Sequence, residues 1–183
     1  MIVAIALGVA APAAPTEVPI ARAWLLLTAG GEQWCAFTDE AKARKAAATD
    51  RFDESEWVRL SYRGTRILGL VDSAQSEDAV TEDSYSFDAL GRVTQVLRKG
   101  AYAGQPSISV TYVPDVKGAL ALTPTARTTA QREEKAKRET YFLDWPLYST
   151  LAQMPFSKLI RTKPVISVTE RCIKGPPRQI GED

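Results

Sequence analysis

Carboxylates are the groups through which this sequence could do acid–base chemistry, because histidine is absent from all 183 residues. That absence removes the commonest general base and the commonest transition-metal ligand. A Ser-His-Asp or Cys-His arrangement cannot be assembled within the chain. A zinc site would need both cysteines plus carboxylates, an uncommon donor set. Asp72, Glu77, Asp78, Glu82 and Asp83 cluster in and around one stretch. A glycosidase needs two carboxyls held at a fixed separation across a cleft, and clustering in sequence does not supply that. Calcium favours such hard oxygens, but the D-x-[DN]-x-[DN]-G spacing of a calcium loop is missing. The stretch therefore reads as a solvated acidic loop. The phosphate-cradling patterns GxxxxGK and GxGxxG and the GxSxG nucleophile elbow are missing as well. No catalytic residue, metal ligand or cofactor is assigned.

Cys35 and Cys172 are the only cysteines. In an oxidising compartment they can pair and clamp an N-terminal hairpin to a C-terminal strand. The alternative is two buried thiols that never meet. Neither has the histidine or the CxxC neighbour of a reactive thiol. Residues 1–14 (MIVAIALGVAAPAA) bear on the compartment. This apolar run is too short to span a bilayer as a helix, but it has the length of a signal-peptide core, with small residues Ala11 and Ala13 spaced for cleavage at Ala13. No Lys or Arg precedes Arg22, so the positive start is reduced to the terminal amine, and the competing reading is a buried first strand. Pro12, Pro15 and Pro19 argue against that strand. The organisation expected is a signal peptide over 1–14, one globular domain over 20–174 and a disordered tail over 175–183, in a periplasmic or secreted protein. No cysteine follows the apolar run to carry a lipid, and no transmembrane span is expected.

The elements follow from periodicity. Residues 21–28 and 32–37 flank Ala29-Gly30-Gly31, a tight hairpin signal. Thr38, Asp39 and Glu40 open an alanine-rich helix that runs to about Ala48, with Lys42, Arg44 and Lys45 after the acids. From Glu56 the period becomes two, with Val58, Leu60 and Tyr62 on one face and Trp57, Arg59, Ser61 and Arg63 on the other. Gly64-Thr65 turns the chain into residues 66–71. Strands over 81–87, 92–98, 107–113 and 119–122 follow, with short links that make the pairing antiparallel. A charged helical connector is expected over 128–140. A further helix, capped by Asp144 with Pro146 in its first turn, would carry Leu147, Leu151 and Met154 as a stripe until Pro155 stops it. Residues 163–171 are expected to form the last strand.

The block from Tyr85 to Thr94 (YSFDALGRVT) resembles one copy of the YD, or Rhs, repeat, whose core is Tyr-x-Tyr-Asp-x-x-Gly-Arg. Phe87 stands in for the second tyrosine, and one copy is present. The resemblance covers about a dozen residues and implies a β-hairpin turning at Asp88–Gly91, without implying an activity.

The fold class expected is α+β: an antiparallel meander of six to nine strands, able to curl, with two or three packing helices. Lys and Arg total 23 against 22 Asp and Glu, a balance with no overall electrostatic footprint for nucleic acid. Tyr62, Phe87 and Tyr112 alternate onto one face, and Trp145 and Tyr148 on the following helix could cover it. These five are the candidate lining of an apolar site. The functional reading is an exported, non-enzymatic cell-envelope protein that binds an apolar ligand or another envelope component. The alternatives are a small carboxylate- or tyrosine-dependent enzyme with a pocket in a curled sheet, and an interaction module whose contact surface is Trp57 with the Arg59/Arg63 stripe.

Overall fold

A computed structural model describes residues 19–75, 79–102, 107–122, 147–161 and 171–174. Among these residues nine strands form one antiparallel sheet: β1 (Ile20–Thr28), β2 (Gln33–Phe37), β3 (Phe52–Arg63), β4 (Arg66–Gln75), β5 (Ala79–Phe87), β6 (Val93–Tyr102), β7 (Ile108–Pro114), β8 (Leu120–Leu122) and β9 (Arg171–Lys174). Their spatial order is β8-β7-β6-β5-β4-β3-β1-β2-β9, so the sheet is open. Helix α1 (Glu40–Ala47) and the short helix α2 (Ser157–Arg161) accompany it.

From β3 to β8 each strand pairs with the next, as short turns require. The first hairpin turns through Gly30 and Gly31, whose φ of 89° and 71° are left-handed values that glycine supplies without steric cost. β1 then pairs with both β2 and β3. Strands β2 and β3 therefore run parallel on either side of β1, and the chain between them must cross over it. Parallel neighbours need such a crossover, usually a helix. In this sheet it is α1, started by Asp39, whose carboxylate accepts the Lys42 N–H at 2.8 Å. Ala43, Ala46 and Ala47 let the helix settle onto Leu26, Phe37 and Phe52.

The main core lies on the opposite face. Leu25, Val58, Leu60, Leu70, Tyr85, Val96 and Val110 project there in alternation. Met154, Phe156 and Leu159 cover it from the C-terminal side, and the Phe156 ring packs edge-on to Trp34 at 5.1 Å.

Two sequence expectations change. Asp72 and Asp83 do not belong to a solvated loop: β4 runs to Gln75 and β5 begins at Ala79, so both are strand residues buried on the core face. The expected helix through Leu147, Leu151 and Met154 does not form over its described part. Thr150 bridges to Arg92, the Ser149 carbonyl accepts from Val93 N–H, and the Leu151 N–H donates to the Gly91 carbonyl. These groups hold the segment against the β5–β6 turn, leaving one 3-10 turn (Leu151–Gln153). Met154 is extended, as a residue before proline prefers, and α2 starts only after Pro155. The signal segment with Ala13, the 128–140 connector, residues 163–170 of the expected last strand and the tail lie outside the described residues.

Candidate binding surface on the helix side of the sheet

Alternation along β1 sends Ala23, Leu25 and Leu27 to the core and Trp24 and Leu26 to the face that carries α1. The register sets Trp24 opposite Arg59 and Leu26 opposite Trp57. The two tryptophans are thus diagonal neighbours, within reach of each other's large side chains. Glu40, Ala43, Arg44 and Ala47 of α1 form a wall beside them. The result is a recess of about 270 Å³ with an apolar base and charges on its rim, including Asp53 and Arg59. Glu40 and Arg44 are joined across one helical turn at 2.7 Å. On the far side of α1 a wider, shallower hollow includes Lys42, Lys45, Thr49 and Arg51.

Beyond the recess the same face of the sheet carries arginines. Moving along β3, Arg59 is followed by Ser61, opposite Arg22, and then by Arg63, opposite both Ile20 and Arg66. Same-face residues of a strand recur every two positions, so these rows lie about 7 Å apart. Arg22, Arg63 and Arg66 are exposed and Arg59 is half-buried. Arg22, Arg59 and Arg66 form no ion pair among the described residues. Glu56 and Asp72 project to the opposite face, which leaves Asp53, at the other end of β3, as the acid that the described side chains of β1, β3 and β4 add to this surface. Among the described residues no group of three or more Cys, Asp or Glu side chains is placed to hold a metal ion.

No family model, no curated protein and no solved structure matches the chain. What the surface can do follows from its own geometry.

The core face holds a different kind of polar group. Arg98 donates from Nε to Asp83 Oδ1 and from Nη2 to Asp83 Oδ2, both at 2.6 Å, and neither side chain touches solvent. The guanidinium also lies 5.8 Å from the centre of the Tyr112 ring. Asp72 is the cross-strand partner of Asp83 and is buried as well. Both oxygens of Asp83 are occupied in a dry environment, an arrangement that holds the core together rather than one that exchanges protons with a substrate.

Of the candidate lining residues, Tyr62, Phe87 and Tyr112 do share one face and are buried in the same cluster, with Tyr148 half-buried against them. Burial raises the Tyr62 phenol above its usual pKa. Trp145 lies outside the described residues. Cys35 and Cys172 are disulfide-bonded between directly opposed positions of β2 and β9, and the Arg51 Nη2 lies 3.5 Å from the Cys172 sulfur. Among the described residues no helix is long and apolar enough to cross a membrane. Sequence reading brought out Trp57, Arg59 and Arg63 but missed Trp24, Arg22 and Arg66. The Arg66 signal was present: a two-residue turn at Gly64-Thr65 sets residue 66 opposite residue 63. Arg22 and Trp24 needed the pairing of β1 with β3, which local pattern does not specify.

Proposed function

We propose that this chain is an exported, non-enzymatic domain of the cell envelope that binds an envelope component on the helix side of its sheet. The observation that carries the binding reading is the recess in which Trp24 and Trp57 form an apolar base under a charged rim. A few polar groups around an aromatic floor is the usual composition of a small-molecule site. The Cys35–Cys172 disulfide supports an oxidising compartment, in keeping with the signal-like start of the sequence. The interaction-module reading uses the same surface and differs only in the size of what it holds.

Export is tested by intact-mass measurement of the protein expressed from its own start codon and recovered from the periplasm, with and without reductant. Cleavage at Ala13 and a gain of two hydrogens on reduction are expected. A full-length chain found only in the cytoplasm with free thiols would overturn the export reading.

A further inference from the structure

The arginine rows ask for a more definite partner. The chain as a whole is almost neutral, with formal net charge +1, yet Arg59, Arg22, Arg63 and Arg66 follow one another along a single open face. Four residues of strand separate the first row from the last, so the cations extend over about 13 Å. Such a line suits a linear chain of negative charges better than one compact anion, which a single arginine fork would hold. At one end the line runs into the Trp24/Trp57 recess, whose volume of about 270 Å³ accommodates a ring rather than an extended acyl chain. Tryptophan faces are apolar platforms with a polar edge, suited to stacking a ring whose substituents are hydroxyls and carboxylates. The α1 wall makes the site a step and not a plane, so it does not suit a flat bilayer surface.

We infer that the Arg22/Arg59/Arg63/Arg66 rows and the adjoining tryptophan recess bind an acidic polysaccharide, with sugar rings against Trp24 and Trp57 and carboxylates along the arginines. This rests on the binding surface proposed above. A nucleic acid would offer the same combination of rings and negative charge, but the disulfide favours a compartment in which envelope polymers are the available polyanions.

The test uses the full oxidised chain and tryptophan fluorescence titration with three probes: an oligogalacturonate, its methyl ester (the same backbone without charge) and a single-stranded DNA of equal charge. Oligogalacturonate is expected to bind most tightly, and its affinity to fall as salt rises from about 50 to 500 mM, where screening shortens to a few ångströms. Each surface arginine is worth about a 1.4- to fivefold effect. The triple variant Arg22→Gln, Arg59→Gln, Arg66→Gln should therefore bind about three- to a hundredfold more weakly, while the corresponding lysine variant keeps most of the affinity. Lys42→Gln with Lys45→Gln removes charge from the far side of α1 and should leave binding unchanged. Three results would each overturn the inference: equal binding of the methyl ester, tighter binding of DNA, or equal weakening by the two glutamine sets. Absence of oligogalacturonate binding by a cleaved, disulfide-bonded chain also overturns it and leaves the export reading standing. A cytoplasmic full-length product removes the export reading, and the choice of polysaccharide over nucleic acid then stands or falls on the oligogalacturonate and DNA isotherms alone.

Discussion

Removing Arg98 should damage this fold more than removing the carboxylate it binds. Asp83 and Arg98 are matched through two hydrogen bonds of 2.6 Å and are sealed from solvent. Breaking a buried pair by deleting one partner typically costs about 3–5 kcal/mol, because the survivor stays buried without its counter-charge. For a domain stable by about 5–15 kcal/mol that is a large share. At about 2–4 °C per kcal/mol for a chain of this size, the melting temperature should fall by about 6–20 °C. The two single variants are not equivalent. Arg98→Met leaves Asp72 and Asp83 as cross-strand neighbours inside the core, a like-charge pairing that is unfavourable even at a surface. It also removes the guanidinium from the Tyr112 ring, a contact worth about 0.5–2 kcal/mol. Asp83→Asn keeps the shape of the site, one acceptor oxygen and Asp72 nearby. Arg98→Met should therefore be the more destabilising, while Asp83→Leu combined with Arg98→Met should recover only part of the loss, because Asp72 stays buried. Urea unfolding of the oxidised proteins, extrapolated to water, measures all three. Equal or reversed costs for the single variants, or a cost for Arg98→Met below about 1 kcal/mol, would refute the reasoning that Arg98 is what makes the burial of Asp83 tolerable.

Three further perturbations test other parts of the structure. A Cβ added at Gly69 would lie 2.8 Å from the Tyr85 carbonyl oxygen, and since neither backbone can yield cheaply, Gly69→Ala should cost about 1–3 kcal/mol in denaturant unfolding. Reducing the disulfide, or replacing both cysteines with alanine, frees a link across 137 residues. The chain-entropy estimate is a loss of about 5 kcal/mol, readable as a lower urea midpoint, and an unchanged midpoint would mean that β9 adds nothing to the fold. Asp88 accepts the backbone N–H of Arg92 and of Leu90 and pairs with the Arg92 guanidinium, which holds its pKa below the ordinary 3.8. With the folded value depressed, its contribution is present above the ordinary value and fades as pH falls through the folded one. The stability gap between the protein and Asp88→Asn should be constant near neutrality and close only in acid below that range.

The sheet was legible because its strands obey a simple rule over long stretches. Val58, Leu60 and Tyr62 alternate with Trp57, Arg59 and Ser61, and the turns between strands carry Gly or Asp at positions with a conformational reason. The helix over 40–47 showed itself through Asp39 and the order of its charges. The acidic stretch misled because charge was weighed above periodicity. Asp72 continues the alternation of Leu70, and Asp83 that of Tyr85, so both belong inward once β4 and β5 are allowed to run on. Asp83 is matched there by Arg98, which stands 15 residues from it in sequence and meets it only through the β5–β6 register. The segment after Leu147 failed for the opposite reason: its apolar spacing suits a helix, but its backbone groups are taken by the turn at Gly91 and Arg92, a tertiary contact that no local pattern announces.

The helix-side surface follows from the same topology. Because β1 lies between β2 and β3, the connection between those two must pass over it, and it passes near the Leu26 end, where Cys35, Phe37 and Phe52 give α1 an apolar seat. Among the described residues no helix covers the Ile20 end of the same strands, and there the outward positions of β1, β3 and β4 include Arg22, Arg63 and Arg66 beside Ser61 and Ile20. Asp83 is answered within the core by Arg98, so the outward arginines are not its counter-charges. A nearly neutral composition thus conceals an uneven distribution. A partner meets one face and not the net charge, and the face left open by the crossover is basic, aromatic at one end and long enough to follow a polymer.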